Sequence, residues 1–302
     1  MSERPILVTG GTGQLASALA AAATGPLHRA GRPDFDFDRP ETIEAVFRAA
    51  NPAVVVNAAA YTAVDAAETD EAAAYRANRD GPALLARLCA ETGIPLIHMS
   101  TDYVFDGTKG APYHEADPVS PLGVYGASKL AGEGAVLAPG AAGAFGARAI
   151  VLRTSWVYSP TGKNFVRTML TLGKTRERLT IVADQIGCPT AAADLAAAIL
   201  HIVAHLAAGW RDEYAGVFHV AGSGQTTWHG LASAVFEDAA RLGMTIPRVD
   251  PIATADWPTP VRRPADSRLD CDKLERVFGV RLPDWRASVS RTVGWILSGT
   301  GT

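Results

Sequence analysis

Near its N-terminus the chain moves from a short apolar run, Pro5-Ile6-Leu7-Val8-Thr9, into a glycine loop, Gly10-Gly11-Thr12-Gly13. An apolar helical pattern follows, from Gln14 to about Ala23. The first run is too short for a helix and reads as a strand buried on both faces. Gly11-Thr12-Gly13-Gln14-Leu15-Ala16 fits G-x-G-x-x-G/A, while Gly10, Gly13 and Ala16 fit the wider G-x-x-G-x-x-G/A. Between a strand and a helix, such a loop lets the backbone approach a pyrophosphate, which the helix N-terminus stabilises. A tight turn with no ligand explains the same residues less well at this position.

The rest of the chain continues the alternation. Strands are predicted at Ala53–Ala60, running into Tyr61 and Thr62, and at Ile94–Met99, ending in Ser100-Thr101-Asp102. Others fall at Arg148–Arg153, Leu179–Val182 and Val217–Ala221. Helices are predicted from near Pro40, from about Val64 to Glu91 with an interruption near Gly81-Pro82, from Asn164 to Gly173 and from Ala191 to Ala208. This order implies an α/β fold, a Rossmann-like doubly wound parallel sheet. Beyond Thr226, short helices and Pro-rich loops suggest a smaller, mixed substrate-binding lobe. The expected division is residues 1–155 as an NAD(P)-binding domain to which 190–222 return, with 156–189 and 223–302 as the smaller lobe.

Composition narrows the function. A net charge of −3 gives no sign of a nucleic-acid partner. Cys89, Cys188 and Cys271 are scattered without C-x-x-C, and no charged segment followed by a long apolar run opens the chain. Both point to the cytoplasm. The most apolar window, Ala191–Trp210, carries Asp194, His201 and His205, which suits a buried helix better than a membrane span. His201 and His205 lack an adjacent glutamate or a third ligand, so packed histidines are expected and no metal site. Cys188 reads as a small buried residue, and Trp228, Trp257, Trp285 and Trp295 as packing.

Two further patterns carry chemistry. Tyr125 and Lys129 are four apart at the start of a helical stretch and should share a face. A phenol beside a fixed cation is expected to have a lowered pKa and to exchange a proton with a carbonyl oxygen. No acidic residue occurs from Gln14 through Pro33, where a ribose-binding acid is usual; His28, Arg29 and Arg32 stand there instead. Arginine suits a 2′-phosphate, which favours NADPH, with NADH the alternative.

Six blocks in order, among them Asn57–Asp65, Ser100–Gly107, Val124–Glu133, Arg153–Tyr158, Asp184–Thr190 and Arg262–Leu269, resemble the extended short-chain dehydrogenase/reductases, and within them the dTDP-4-dehydrorhamnose reductase family. The resemblance implies NAD(P)H-dependent reduction of the C4 ketone of dTDP-4-dehydro-β-L-rhamnose. It implies Tyr125 as general acid, Lys129 as its charge partner and ribose ligand, and Thr101 as the hydroxyl on the substrate carbonyl. Asp102 and Trp156 would contact the sugar. Gly13, Gln14 and Leu15 would line the pyrophosphate, Asp36 and Phe37 the adenine, and Ala60, Tyr61 and Thr62 the remaining cofactor; the glycine-loop spacing adds Gly10, and the missing ribose acid adds Arg29. Asn78 resembles a residue that braces the central sheet. Arg262, Arg263 and Arg268 are candidates for the substrate diphosphate, with internal salt bridging as the competing reading. Magnesium enters by resemblance alone. The implied partner is a nucleotide sugar, to a monomer or homodimer without nucleic acid or membrane. The rivals are a nucleotide-sugar epimerase or dehydratase, and a non-catalytic regulatory subunit like that of methionine adenosyltransferase.

Overall fold

The structure, a computed structural model, describes residues 4–138 and 148–299. The parts of the expected lobes at 1–3, 139–147 and 300–302 lie outside the described residues. From the N-terminus the elements are β1 (Ile6–Thr9), α1 (Gln14–Ala22), β2 (Leu27–Ala30), α2 (Pro40–Ala50), β3 (Val54–Asn57), α3 (Val64–Ala67), α4 (Glu71–Tyr75), α5 (Gly81–Thr92), β4 (Leu96–Thr101), α6 (Val124–Leu137) and β5 (Ala149–Thr154). Then come β6 (Val157–Tyr158), α7 (Phe165–Gly173), β7 (Arg178–Val182), β8 (Ile186–Gly187), β9 (Thr190–Ala191), α8 (Ala192–Ala208) and β10 (Gly216–His219). The last are β11 (Thr226–Thr227), α9 (Trp228–Arg241), β12 (Arg248–Ile252), α10 (Asp272–Phe278) and α11 (Trp285–Ser298).

Six strands form one sheet in the order β2-β1-β3-β4-β5-β10, every pairing parallel. From β1 the chain goes to β2 on one side and returns to β3 on the other, which opens a crevice at the carboxyl ends of β1 and β3. Alternate strand residues enter opposite cores. Leu7, Val55, Leu96 and Val151 meet Ile43 and Phe47 of α2, Leu85 and Leu88 of α5 and Val136 of α6. Val8, Val56, Ile97 and Leu152 meet Leu19 of α1 and Leu195, Ile199 and Ile202 of α8. With both faces covered, the strands are continuous apolar runs rather than alternating ones. Each such fully buried side chain contributes about 1.5–3 kcal/mol. A third core joins Val166, Met169 and Leu170 of α7 to Leu231, Val235 and Phe236 of α9 and Val289 and Val293 of α11. Beside it lie the pairs β6–β9, β7–β12 and β8–β11.

Two details depart from expectation. β2 is a four-residue edge strand whose His28 and Arg29 are exposed, so no apolar run announces it. The long helix predicted over 64–91 is broken, but not at Gly81-Pro82, where Pro82 sits in the first turn of α5 and is tolerated. It breaks between α3 and α4, and it loosens into a π-helical turn at Arg76–Asp80. That turn directs Asn78 inward. Its Oδ1 accepts from Tyr61 N at 2.9 Å, and its Nδ2 donates to Tyr61 O at 3.1 Å and to Ser128 Oγ at 2.9 Å. One amide side chain therefore ties the segment after β3 to α6.

The same turn sets how close α6 sits. A Cβ on Gly132 would lie 1.9 Å from Asn78 O. Gly132→Ala should therefore force the two backbones apart and destabilise the fold by about 1–3 kcal/mol, the usual effect of overpacking. Urea unfolding of the variant against the wild type measures it.

Candidate active site

The carboxyl ends of the sheet strands border a cavity of about 1450 Å³. One side is the glycine loop, folded on itself by Gly13 N–H to Gly10 O and tied to β2 by Gly11 N–H to Ala30 O, both 2.9 Å. A buried polar ladder crosses three adjacent strands, β1, β3 and β4. Ala59 N donates to Thr9 Oγ1 at 3.1 Å, Thr9 Oγ1 donates to Asn57 Oδ1 at 2.6 Å, and Asn57 Nδ2 donates to His98 Nδ1 at 2.9 Å. Burial, aided by the charge of Lys129, holds the His98 pKa well below its ordinary value, so the ring is neutral and accepts that bond.

Thr101, Asp102, Tyr125 and Lys129 all line this cavity. β4 carries the first to its carboxyl end, Asp102 follows directly, and successive turns of α6 carry the tyrosine and lysine. Lys129 is only 2% exposed, and its Nζ donates to Met99 O at 2.6 Å. Burial lowers its pKa to about 8 against the opposing pull of Glu133. Burial raises Tyr125 to about 12; the Thr101 hydroxyl lowers it and the Asp102 charge raises it. The expected lowering of Tyr125 by Lys129 is absent, because the ammonium is turned to the Met99 carbonyl and burial dominates. Thr101 Oγ1 donates to Asp102 Oδ1 at 3.0 Å and accepts from Tyr103 N at 3.2 Å. Asp102 is 2% exposed. Burial pushes its pKa up to about 7 against the hydroxyls of Ser267 and Thr101.

Further lining comes from residues packed against the smaller core. Trp156 and Trp228 lie face to face, ring centroids 3.5 Å apart and planes 6° apart, and both line the cavity. Trp156 takes a positive φ of 48°, a strained backbone for a bulky residue and of the kind found at functional sites. Trp228 Nε1 donates to Gln185 Oε1 at 3.2 Å. Asn164 Nδ2 donates to Gln14 Oε1 at 3.0 Å, joining the loop before α7 to the glycine loop.

Of the other residues read from the sequence, Gly10, Gly13, Gln14, Leu15, Arg29, Phe37, Ala60, Tyr61 and Thr62 line the cavity. Asp36 does not line it: its carboxylate accepts from Arg32 Nε at 2.9 Å and from Asp38 N at 3.1 Å. Arg32 is thereby engaged as well, whereas Arg29 makes only a 3.5 Å contact to Ser17 Oγ. Arg262, Arg263 and Arg268 are outside the lining too. Arg262 is exposed, Arg263 pairs with Asp65 at 2.8 Å, and Arg268 is held by Asp266 and Gln225. For the last two, internal salt bridging is what the structure shows. Residues missed by the sequence reading are Trp228, read there as packing, and Lys163, whose position became visible only with the fold. Among the described residues no group of three or more His, Cys, Asp or Glu is placed to hold a metal, so the magnesium carried by resemblance has no ligand set here. Nor is any described helix long and apolar enough to cross a membrane.

Residues 4–296 match the family model described as the RmlD substrate binding domain. A dTDP-4-dehydrorhamnose reductase of Sinorhizobium fredii is 46% identical over 294 residues, 97% of each chain. The chain belongs to the dTDP-4-dehydrorhamnose reductase family. Solved structures agree. A member of this reductase family from Clostridium acetobutylicum superposes with a TM-score of 0.87 at 33% identity, covering 97% of this chain and 99% of that one. Another from Bacillus anthracis, in complex with NADP, gives 0.86 at 30%, covering 96% and 99%.

Asp102 makes this family member's stability depend on pH. A carboxyl whose folded pKa lies near 7 and whose unfolded value is 3.8 binds its proton more tightly when folded. Its contribution is therefore favourable at low pH and is lost as pH rises from about 4 to about 7. Asp102→Asn should flatten that part of the unfolding free-energy profile, measured by denaturant titration across the range.

Proposed function

We propose that the protein reduces the C4 ketone of dTDP-4-dehydro-β-L-rhamnose to dTDP-L-rhamnose, with NADPH as hydride donor and NADH as a weaker alternative. The observation that carries this reading is the single cavity wall shared by Thr101, Tyr125 and Lys129, continuous with the glycine loop. The relatives' names and the NADP held by the Bacillus anthracis structure support it.

The residues fit a nicotinamide dinucleotide. Gly10, Gly13, Gln14 and Leu15 would hold its pyrophosphate at the start of α1, and Ala60, Tyr61 and Thr62 would follow it along the end of β3. Bound there, the cofactor supplies hydride. The chain supplies hydrogen bonding and the proton. With a pKa near 12, Tyr125 is protonated at neutral pH and enters as an acid, which suits reduction. Its phenol would donate to the carbonyl oxygen as negative charge grows there, joined by the Thr101 hydroxyl once its one proton turns to the substrate. Without substrate, that proton is held by Asp102 Oδ1 at 3.0 Å. Trp156, backed by Trp228, offers an apolar face to the sugar ring, and Asp102 a hydrogen-bonding edge. On this reading 1–155 with 190–222 hold the cofactor, and 156–189 with 223–302 hold the nucleotide sugar.

A spectrophotometric assay with dTDP-4-dehydrorhamnose and each cofactor tests the reading. Tyr125→Phe should bind NADPH as the wild type does and turn over about 10²–10⁴-fold more slowly. A wild-type rate in that variant would remove Tyr125 from the chemistry. Arg29→Ala should weaken NADPH binding about tenfold or more and leave NADH unchanged, as expected for loss of one charged hydrogen bond. Equal loss for both cofactors would place Arg29 elsewhere.

A further inference from the structure

A strand-to-helix turn that receives a pyrophosphate offers it N–H groups, and here it offers no charged side chain. No Lys, Arg or His occurs from Pro5 to Leu27, so β1, the glycine loop and α1 carry no cation. α1 also starts without a capping side chain at Gly13 and without an acid in its first turn, which leaves its first N–H groups to an anion. Of the Lys and Arg side chains that line the cavity, Arg32 is bound by Asp36 and Asp38, and Lys129 donates to Met99 O. Arg29, on edge strand β2, meets α1 at Ser17, beyond its first residues.

That leaves Lys163. It is exposed, lines the same cavity as Gly13, Gln14 and Leu15, and makes no hydrogen bond or ion pair among the described residues. Its backbone is fixed although its side chain is free. Asn164, 9% exposed, caps α7 by accepting from Arg167 N at 3.1 Å, and its amide donates to Ser159 O at 2.8 Å and to Gln14 Oε1 at 3.0 Å. On the other flank, Gly162 has a φ of 73°, and a Cβ on it would lie 3.2 Å from Gln14 Cγ. Both neighbours of Lys163 are thus held against the first residue of α1. We propose that Lys163 binds the pyrophosphate of the dinucleotide, bringing from the segment before α7 the positive charge that the glycine loop lacks. Lysine is a compact point charge on a flexible four-carbon stem, which suits a phosphate already seated on backbone N–H groups. With Arg29 on the 2′-phosphate, the two cations divide the cofactor's phosphates between them.

The inference rests on the dinucleotide reading, and direct binding measurements separate the two. Isothermal titration calorimetry with NADPH, NADH and dTDP compares the wild type with Lys163→Met, which keeps an apolar stem and removes the charge. Loss of one charged hydrogen bond should weaken both dinucleotides about tenfold or more and leave dTDP unchanged. Raising the salt concentration should narrow the difference, and Lys163→Arg, which keeps the charge, should recover most of the affinity. The exposed side chain has no partner to lose, so the urea midpoint should stay at its wild-type value. Unchanged dinucleotide binding overturns the proposal. So does a loss confined to NADPH, which would put Lys163 on the 2′-phosphate, and so does any loss for dTDP, which would put it on the substrate diphosphate. A wild type that binds neither dinucleotide would overturn the cofactor assignment and this inference with it. A wild type that binds both yet does not reduce the keto sugar would overturn the substrate assignment alone.

Discussion

A lysine ammonium taken out of water and given to one backbone carbonyl is the contact on which the site depends. The bond from Lys129 to Met99 O joins α6 to β4 where that strand ends, and Thr101 and Asp102 are the next residues to emerge. Desolvating a cation is expensive, so this seat exists only because the surroundings compensate. They do so with the Met99 carbonyl dipole, which accepts from Nζ at 2.6 Å. Tyr125, one helical turn earlier, inherits its position from the same anchor.

The two sides of the cavity do different work. The sheet side is backbone-rich: a glycine loop, strand ends tied by the Thr9–Asn57–His98 ladder, and small residues after β3. It suits a long, flat, charged molecule. The other side is aromatic, with stacked indoles and Phe165 against Trp228 at 4.8 Å. It suits a ring with one apolar face. The Asn164–Gln14 bond ties the glycine loop to the segment before α7.

Much of this was legible in the sequence because it is local. A strand, a glycine loop and a helix lie within one short stretch, and so does the Tyr125–Lys129 spacing. Thr101 and Asp102 were readable because a buried strand must end somewhere, and polar residues mark where. Contacts between distant segments were not readable. Nothing near Trp228 reveals that it stacks on Trp156, whereas the partners of Asp36, Arg32 and the Asp38 amide, lie within four residues of it. The partner of Arg263, Asp65, was settled only by tertiary placement, whereas that of Arg268, Asp266, lies two residues away in the sequence. The Tyr125 pKa was misread for a related reason: spacing along a helix gives direction, whereas burial depends on the whole fold.

The approach of Gly132 to Asn78 O has a consequence of its own. It is main chain against main chain, so the register of α6 does not depend on the bulk of any neighbouring side chain. Substitutions on the outer face of the helix can accumulate without sliding the phenol along its axis. Sequence drift can then re-tailor the rim for another sugar while the proton donor keeps its address.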